Sequence, residues 1–298
     1  MVKNRFILLF LDGLGLGPPG PHNPLGATGT MPRCQTLWGQ PLVAGAYSQR
    51  PRQLLKPIDA TLGVPGLPQS ATGQTTLYTG HNAAKFRGQH QTAFANGSLR
   101  QLIEPHGLFR RVLAQGGSAT LANLYSPAYF EAVARRRWRY SVCTLLTMTA
   151  GLPFRMQYEY ERGQAIFWDI TGAIAHSRGI GAEPIPPELA GQYLAALGKH
   201  HSVTLFECYL SDYAGHTQVY DQAVAVLQRI DRFLAAVAEH LGADTTLIIV
   251  SDHGNVEDLS TKRHTVNAVP LWVVGPAAQA FAHVHDLTGI TPTILANI

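Results

Sequence analysis

Long apolar runs, cysteine and concentrated charge are all scarce in this chain. Membrane spans need ~20 consecutive apolar residues, and the apolar run at the amino terminus, Phe6 to Leu11, stops after six residues at Asp12. Neither a signal peptide nor a membrane anchor is expected, and no membrane partner. The three cysteines, Cys34, Cys143 and Cys208, are far apart and form no CxxC pair. That pattern suggests neither a disulfide framework nor a thiolate metal site, and it fits a reducing, cytoplasmic location. Charge hardly accumulates: the net value is +4 with a pI near 9.0, and the basic residues are scattered except for Arg135, Arg136, Arg137 and Arg139. This cluster reads as a solvated face or, second, as a substrate clamp, and no nucleic-acid partner is expected. Internal repeats and low-complexity tracts are missing as well.

What is present is an ordinary soluble composition, 46% hydrophobic over 298 residues, enough for one large α/β domain. Arg5 to Leu11 (RFILLFL) reads as a strand buried on both faces, and the DGLGLGPPGP after it as loop. Asp12 therefore stands at the carboxyl end of a strand, the edge where open α/β sheets bind ligands. Ser70 to Gly80 (SATGQTTLYTG) reads as a helix with Ser70 at its start, where free backbone amides and the helix dipole favour an anion. Leu108 to Gln115 reads as helix and Ala119 to Leu124 as strand.

Further buried strands are expected at Val203 to Tyr209, Thr246 to Val250 and Val269 to Val274. A long core-facing helix runs from Tyr220 to Leu241, and a last helix lies near Thr291 to Ala296. The alternation predicts a three-layer α/β fold, a mostly parallel sheet with helices on both faces. We expect one domain over residues 1–298, with a core of 1–125 and 199–298 and a small insertion at 126–198. Aromatics of that stretch, Trp138, Tyr140, Phe154, Tyr158 and Tyr160, read as its packing.

Asp12, Asp212, His216, Asp252, His253 and His264 all follow expected strands or lie in adjacent loops. Gathered along one sheet edge, these ligands suffice for two divalent ions, and mixed carboxylate and imidazole ligation suits Zn²⁺ or Mn²⁺. Taken singly, each of these residues reads more simply as a cap, loop or packed residue. Asn23, Lys85 and Arg87 are candidate substrate-binding residues: Asn23 follows the Asp12 loop, and the two cations lie just past the Ser70 helix.

The segments LDGLG, GLPQSATGQTTLYTG, DYAGH, SDHGN and HTVNAVP, in this order, resemble the motifs of the alkaline phosphatase superfamily. The similarity is greatest to the cofactor-independent phosphoglycerate mutase and phosphopentomutase branch. The resemblance implies one metal held by Asp212, His216 and His264. It implies a second held by Asp12, Asp252, His253 and the oxygen of Ser70. Ser70 is the implied nucleophile, because in the mutase-like pattern that residue stands three positions before a glycine, here Gly73. In the phosphatase-like pattern it stands ten before one, here Gly80. A cap domain like that of the mutases does not fit between Gly80 and Asp212, since part of that interval must complete the sheet. The expected activity is hydrolysis of a small phosphorylated substrate through phosphoserine, as a phosphatase or phosphodiesterase. The alternatives are a phosphomutase and a catalytically idle metal-binding scaffold.

Overall fold

A computed structural model describes residues 4–95, 97–135, 139–180 and 183–298. Its centre is a seven-stranded sheet built from β1 (Arg5–Leu11), β2 (Ser48–Arg50), β3 (Gln53–Ile58), β4 (Ala119–Leu121), β5 (Val203–Cys208), β6 (Thr245–Val250) and β7 (Val269–Val274). The strand order is β2-β3-β7-β6-β1-β5-β4. β6, β1, β5 and β4 run parallel, β7 opposes β6, β3 opposes β7 and β2 opposes β3. The sheet is thus mixed, with β7 and β2 reversed against the other five.

The layers follow from the alternation of side chains along β1. Phe6, Leu8 and Phe10 join one core with Leu77, Tyr78, Ile103, Phe109, Leu146 and Ile294. Ile7, Leu9 and Leu11 join a second core with Trp38, Leu194, Leu227, Phe233 and Val237. A strand with period-two exposure can be apolar throughout only if both faces are covered. Helices Ser70–Thr79, Gly97–His106, Leu108–Ala114, Val142–Thr149 and Ile290–Leu295 cover one face, and Pro32–Trp38, Pro187–Gly198 and Tyr220–Glu239 the other.

The stretch expected as an insertion does not stand apart as a whole. Its last helix, Pro187–Gly198, packs along Tyr220–Glu239 and against β1 and β5, and Val142–Thr149 packs on the Ser70 helix. Both are core elements. Leu124, Tyr160, Ala165, Phe167 and Ala175 form a small separate cluster. Arg136, Arg137 and Trp138 fall outside the described residues. Among the described residues no helix is long and apolar enough to cross a membrane.

Strand direction decides what meets at the site. The parallel trio β6-β1-β5 ends in register, with Phe10 beside Val250 and Leu11 beside Cys208. Asp12, Ser251–Asp252–His253 and the helix Leu210–Thr217 therefore leave the sheet at one edge. Because β7 is reversed, its entry at Val269 lies at that same edge, which brings His264 there. β3 leaves beside it, Ile58 pairing with Val269, and leads to Ser70.

Candidate metal centre

Asp12, Asp252 and His253 place one ligand atom each within 4.8 Å of one another, and so do Asp212, His253 and His264. His253 Nε2 is 3.3 Å from Asp12 Oδ1 and 3.5 Å from Asp252 Oδ2. His216 Nε2 lies 3.2 Å from Asp212 Oδ2, and His264 Nε2 3.6 Å from Asp212 Oδ1. His253 and His264 stack face to face, ring centres 3.7 Å apart, which sets His253 between the two groups. Ser70 Oγ lies 3.0 Å from His253 Nε2.

The imidazoles are aimed by the backbone. His264 Nδ1 lies 2.9 Å from the Pro68 carbonyl, His216 Nδ1 2.9 Å from the Lys262 carbonyl, and His253 Nδ1 3.4 Å from the Gly254 carbonyl. A carbonyl only accepts, so Nδ1 carries the proton and donates. Nε2 of each ring is then directed at the carboxylates, the orientation that a ligating histidine takes.

The carboxylates are placed where charge is costly. Asp252 is fully buried, and both its oxygens, with Oδ1 of Asp12, lack a hydrogen-bond partner. Burial, then repulsion from Asp252 and Asp212, pushes the Asp12 carboxyl well above its ordinary range, and burial with Asp212 does the same to Asp252. Burial, then His264, pushes the His253 imidazole well down. Buried carboxylate oxygens without hydrogen-bond partners beside the His253 imidazole, which burial keeps neutral, at the cost of several kcal/mol per uncompensated charge, fit bound divalent cations.

The surrounding loops are locked to one another. Ser211 Oγ donates to the Asp12 carbonyl, Leu14 N to Ser251 Oγ, and Val256 N to the Gly13 carbonyl. Gly13 has φ +67°, and a Cβ there would stand 2.7 Å from Asp212 Oδ1, so only glycine lets the turn after Asp12 pass that carboxylate. Glu257, buried, accepts from the amides of Gly15 and Asn255 and from the side chains of Thr265 and Asn267. Asn255 in turn donates to Asp212 Oδ1 at 2.6 Å.

Other expectations meet a different structure. Ser70 does open a helix, but the Ala71 and Thr72 amides both donate to the Gln91 carbonyl, so they are not free for an anion. Asn23 is buried away from the cleft: its Oδ1 accepts from Leu25 N and its Nδ2 donates to the Gly17 and Pro18 carbonyls. It shapes the loop. Lys85 is exposed on the short Ala83–Arg87 helix, and Arg87 donates to Ser98; neither lines the cleft. Arg135 is exposed beside Glu131.

A cleft of about 1220 Å³ opens over Ser70, Asp12, Asp212, His216 and His264. Its cations are Lys262, Arg263 and Arg178, and it carries the rings of Tyr125, Tyr129, Trp168 and Tyr213. None of these was singled out from sequence. Lys262 and Arg263 had a signal, since they immediately precede His264 in TKRHT; Glu257, two residues after Asn255, had a weaker one. The rings come from separate segments and had none.

The fold and the paired carboxylate–imidazole groups define an α/β metalloenzyme-type site. Residues 187–298 match the Metalloenzyme superfamily. The 2,3-bisphosphoglycerate-independent phosphoglycerate mutase of Serratia proteamaculans is 36% identical over 119 residues, covering 37% of this chain and 23% of the mutase. The matched stretch thus spans about a quarter of that relative's length. The alkaline phosphatase from the Antarctic bacterium TAB5 shares the fold with a TM-score of 0.55 at 12% identity, over 99% of this chain and 98% of that one. Leishmania mexicana phosphoglycerate mutase does so with a TM-score of 0.50 at 12% identity, over 99% and 95%. In sequence, the carboxyl-terminal stretch is thus similar to the Metalloenzyme superfamily and to the 2,3-bisphosphoglycerate-independent phosphoglycerate mutases, and in fold the chain is similar to an alkaline phosphatase.

Proposed function

We propose that this protein is a two-metal phosphate-ester hydrolase acting on a small phosphorylated substrate, with Ser70 as nucleophile and Mn²⁺ or Zn²⁺ as the ions. The observation that carries the reading is Ser70 Oγ, 3.0 Å from His253 Nε2, at the floor of a cleft beside buried, unpartnered carboxylate oxygens. Asp12, Asp252 and His253 would hold one ion, with Ser70 Oγ, and Asp212, His216 and His264 the other. Bound there, divalent cations make a serine alkoxide accessible at neutral pH and neutralise phosphate oxygens.

The chain's own groups supply the rest. Ser70 Oγ loses its proton to solvent and bonds to phosphorus as the bond from phosphorus to the substrate alcohol breaks; the alcohol leaves with a proton from water. Water then attacks phosphorus, the Ser70 O–P bond breaks, and inorganic phosphate departs as Ser70 regains its proton. Lys262 and Arg263, beside His264, offer the positive charge that the occupied helix amides do not. Return of the phosphoryl group to a different hydroxyl of the retained molecule, as a mutase requires, needs a site closed to water. Here the cleft mouth carries Tyr213, 61% exposed, and exposed Lys262 and Arg263, which supports hydrolysis.

The test is release of nitrophenol from p-nitrophenyl phosphate and its bis ester by chelated protein given back Mn²⁺ or Zn²⁺. Metal-dependent turnover that falls by about a thousandfold or more in Ser70→Ala is expected. Turnover unchanged in that variant, or none with metal bound, refutes the assignment.

A further inference from the structure

The wall of the cleft beyond the metal ligands is aromatic. Trp168 stacks on Tyr213 with ring centres 5.3 Å apart and 19° between planes. Tyr213 is next to Asp212 in the same helix, yet the residue is 61% exposed. Tyr125 and Tyr129 meet edge to face at 4.9 Å. Their hydroxyls are both taken up by Thr144 Oγ1, at 3.0 and 2.8 Å. What these tyrosines present to the cleft is therefore ring surface, not a polar tip. An exposed tyrosine stacked on a half-buried tryptophan, in the cleft that Ser70 also lines, is costly to leave wet and well suited to stacking on a flat partner.

We propose that this wall is a ring-binding subsite, so that the alcohol esterified in the substrate carries a planar aromatic or heteroaromatic ring held against Trp168 and Tyr213. The proposal rests on the hydrolase reading for its chemistry and adds the class of leaving group. A small polar alcohol such as a glycerate would leave the rings uncovered. A flat ring in line with the phosphate would cover them while Lys262 and Arg263 hold the anionic end.

The test is kcat/KM of the full chain with Mn²⁺ or Zn²⁺ on matched esters whose leaving oxygen is in each case a primary alkoxide. The pairs are 2-phenylethyl phosphate against ethyl phosphate, and adenosine 5′-monophosphate against ribose 5-phosphate, with hexyl phosphate as the apolar control. The ring-bearing ester is expected to lead by roughly 10- to 100-fold in at least one pair. A lead confined to the first pair assigns a simple aryl group, and one confined to the second a nucleobase. Trp168→Ala should pull the ratio toward one, and Trp168→Phe should keep most of it. Ratios near one in both pairs, or hexyl phosphate equal to the 2-phenylethyl ester, overturn the subsite and leave the hydrolase standing. Should no ester turn over, the hydrolase reading falls. The subsite is then read by calorimetry on Ser70→Ala with 2-phenylethylphosphonate against ethylphosphonate, where equal affinity overturns it.

Discussion

Glu257 is buried behind the proposed metal ligands, and four groups donate to its carboxylate: the amides of Gly15 and Asn255 and the side chains of Thr265 and Asn267. The loops that carry Asp12, Asp252 and His264 thus converge on one side chain that ligates nothing. Glu257→Gln replaces one acceptor oxygen by an amide that can only donate toward groups that also donate. We expect a loss of about 1–3 kcal/mol in denaturant unfolding and metal affinity weakened by roughly 10- to 100-fold. Affinity unchanged in titration would show that the loops hold their shape without it. Gly73 is a second such position: a Cβ there would stand 2.7 Å from Cβ of Asp252, with backbone also close. Gly73→Ala should cost about 1–3 kcal/mol by overpacking, with the same two measurements as readout. The glycine was visible in the sequence as part of the nucleophile pattern. Glu257 was not, because one acidic residue behind a ligand motif looks like any surface carboxylate until its burial is known.

Among the elements, the strands that read as continuous apolar runs, β1, β5, β6 and β7, lie in the middle of the sheet. Burial on two faces is what writes such a run. β2 and β3 left no comparable trace: QLLKPI carries a lysine and a proline, and its Pro57 sits opposite Pro270 of β7. With neither proline able to donate, the ladder concentrates its missing amides at one register position. The reversal of β7 was equally hidden, since a buried strand reads the same in either direction. The Ser70–Thr79 helix was legible from Gly80 and the hydroxylated residues, but its capping was not, because the partner, Gln91 carbonyl, comes from a distant loop. Hydrogen exchange checks that cap: the Ala71 and Thr72 amides should be protected like helix-interior amides, whereas free first-turn amides would exchange rapidly.

For the molecule as a whole, the gathered carboxylates couple metal, protons and stability. Asp12 and Asp252 bind protons more tightly folded than unfolded. In chelated protein their contribution to stability is therefore present at low pH and lost as pH rises through their raised folded pKa values. His253, shifted down, is already neutral when folded; its contribution is present above the unfolded imidazole value and lost as pH falls through its lowered one. A divalent ion must displace the carboxyl protons, so the rise in Tm on adding Mn²⁺ or Zn²⁺ should be larger at pH 8 than at pH 6. An increment that shrinks with pH would mean that the ion binds elsewhere. The strand order carries one more consequence, for synthesis. β1 is translated first, yet both its neighbours, β5 and β6, are made from residue 203 onward. At about 5–20 residues per second, RFILLFL waits roughly 10–40 s with two unpaired edges and two apolar faces. A segment interior to the finished sheet thus spends the longest part of synthesis without either neighbour.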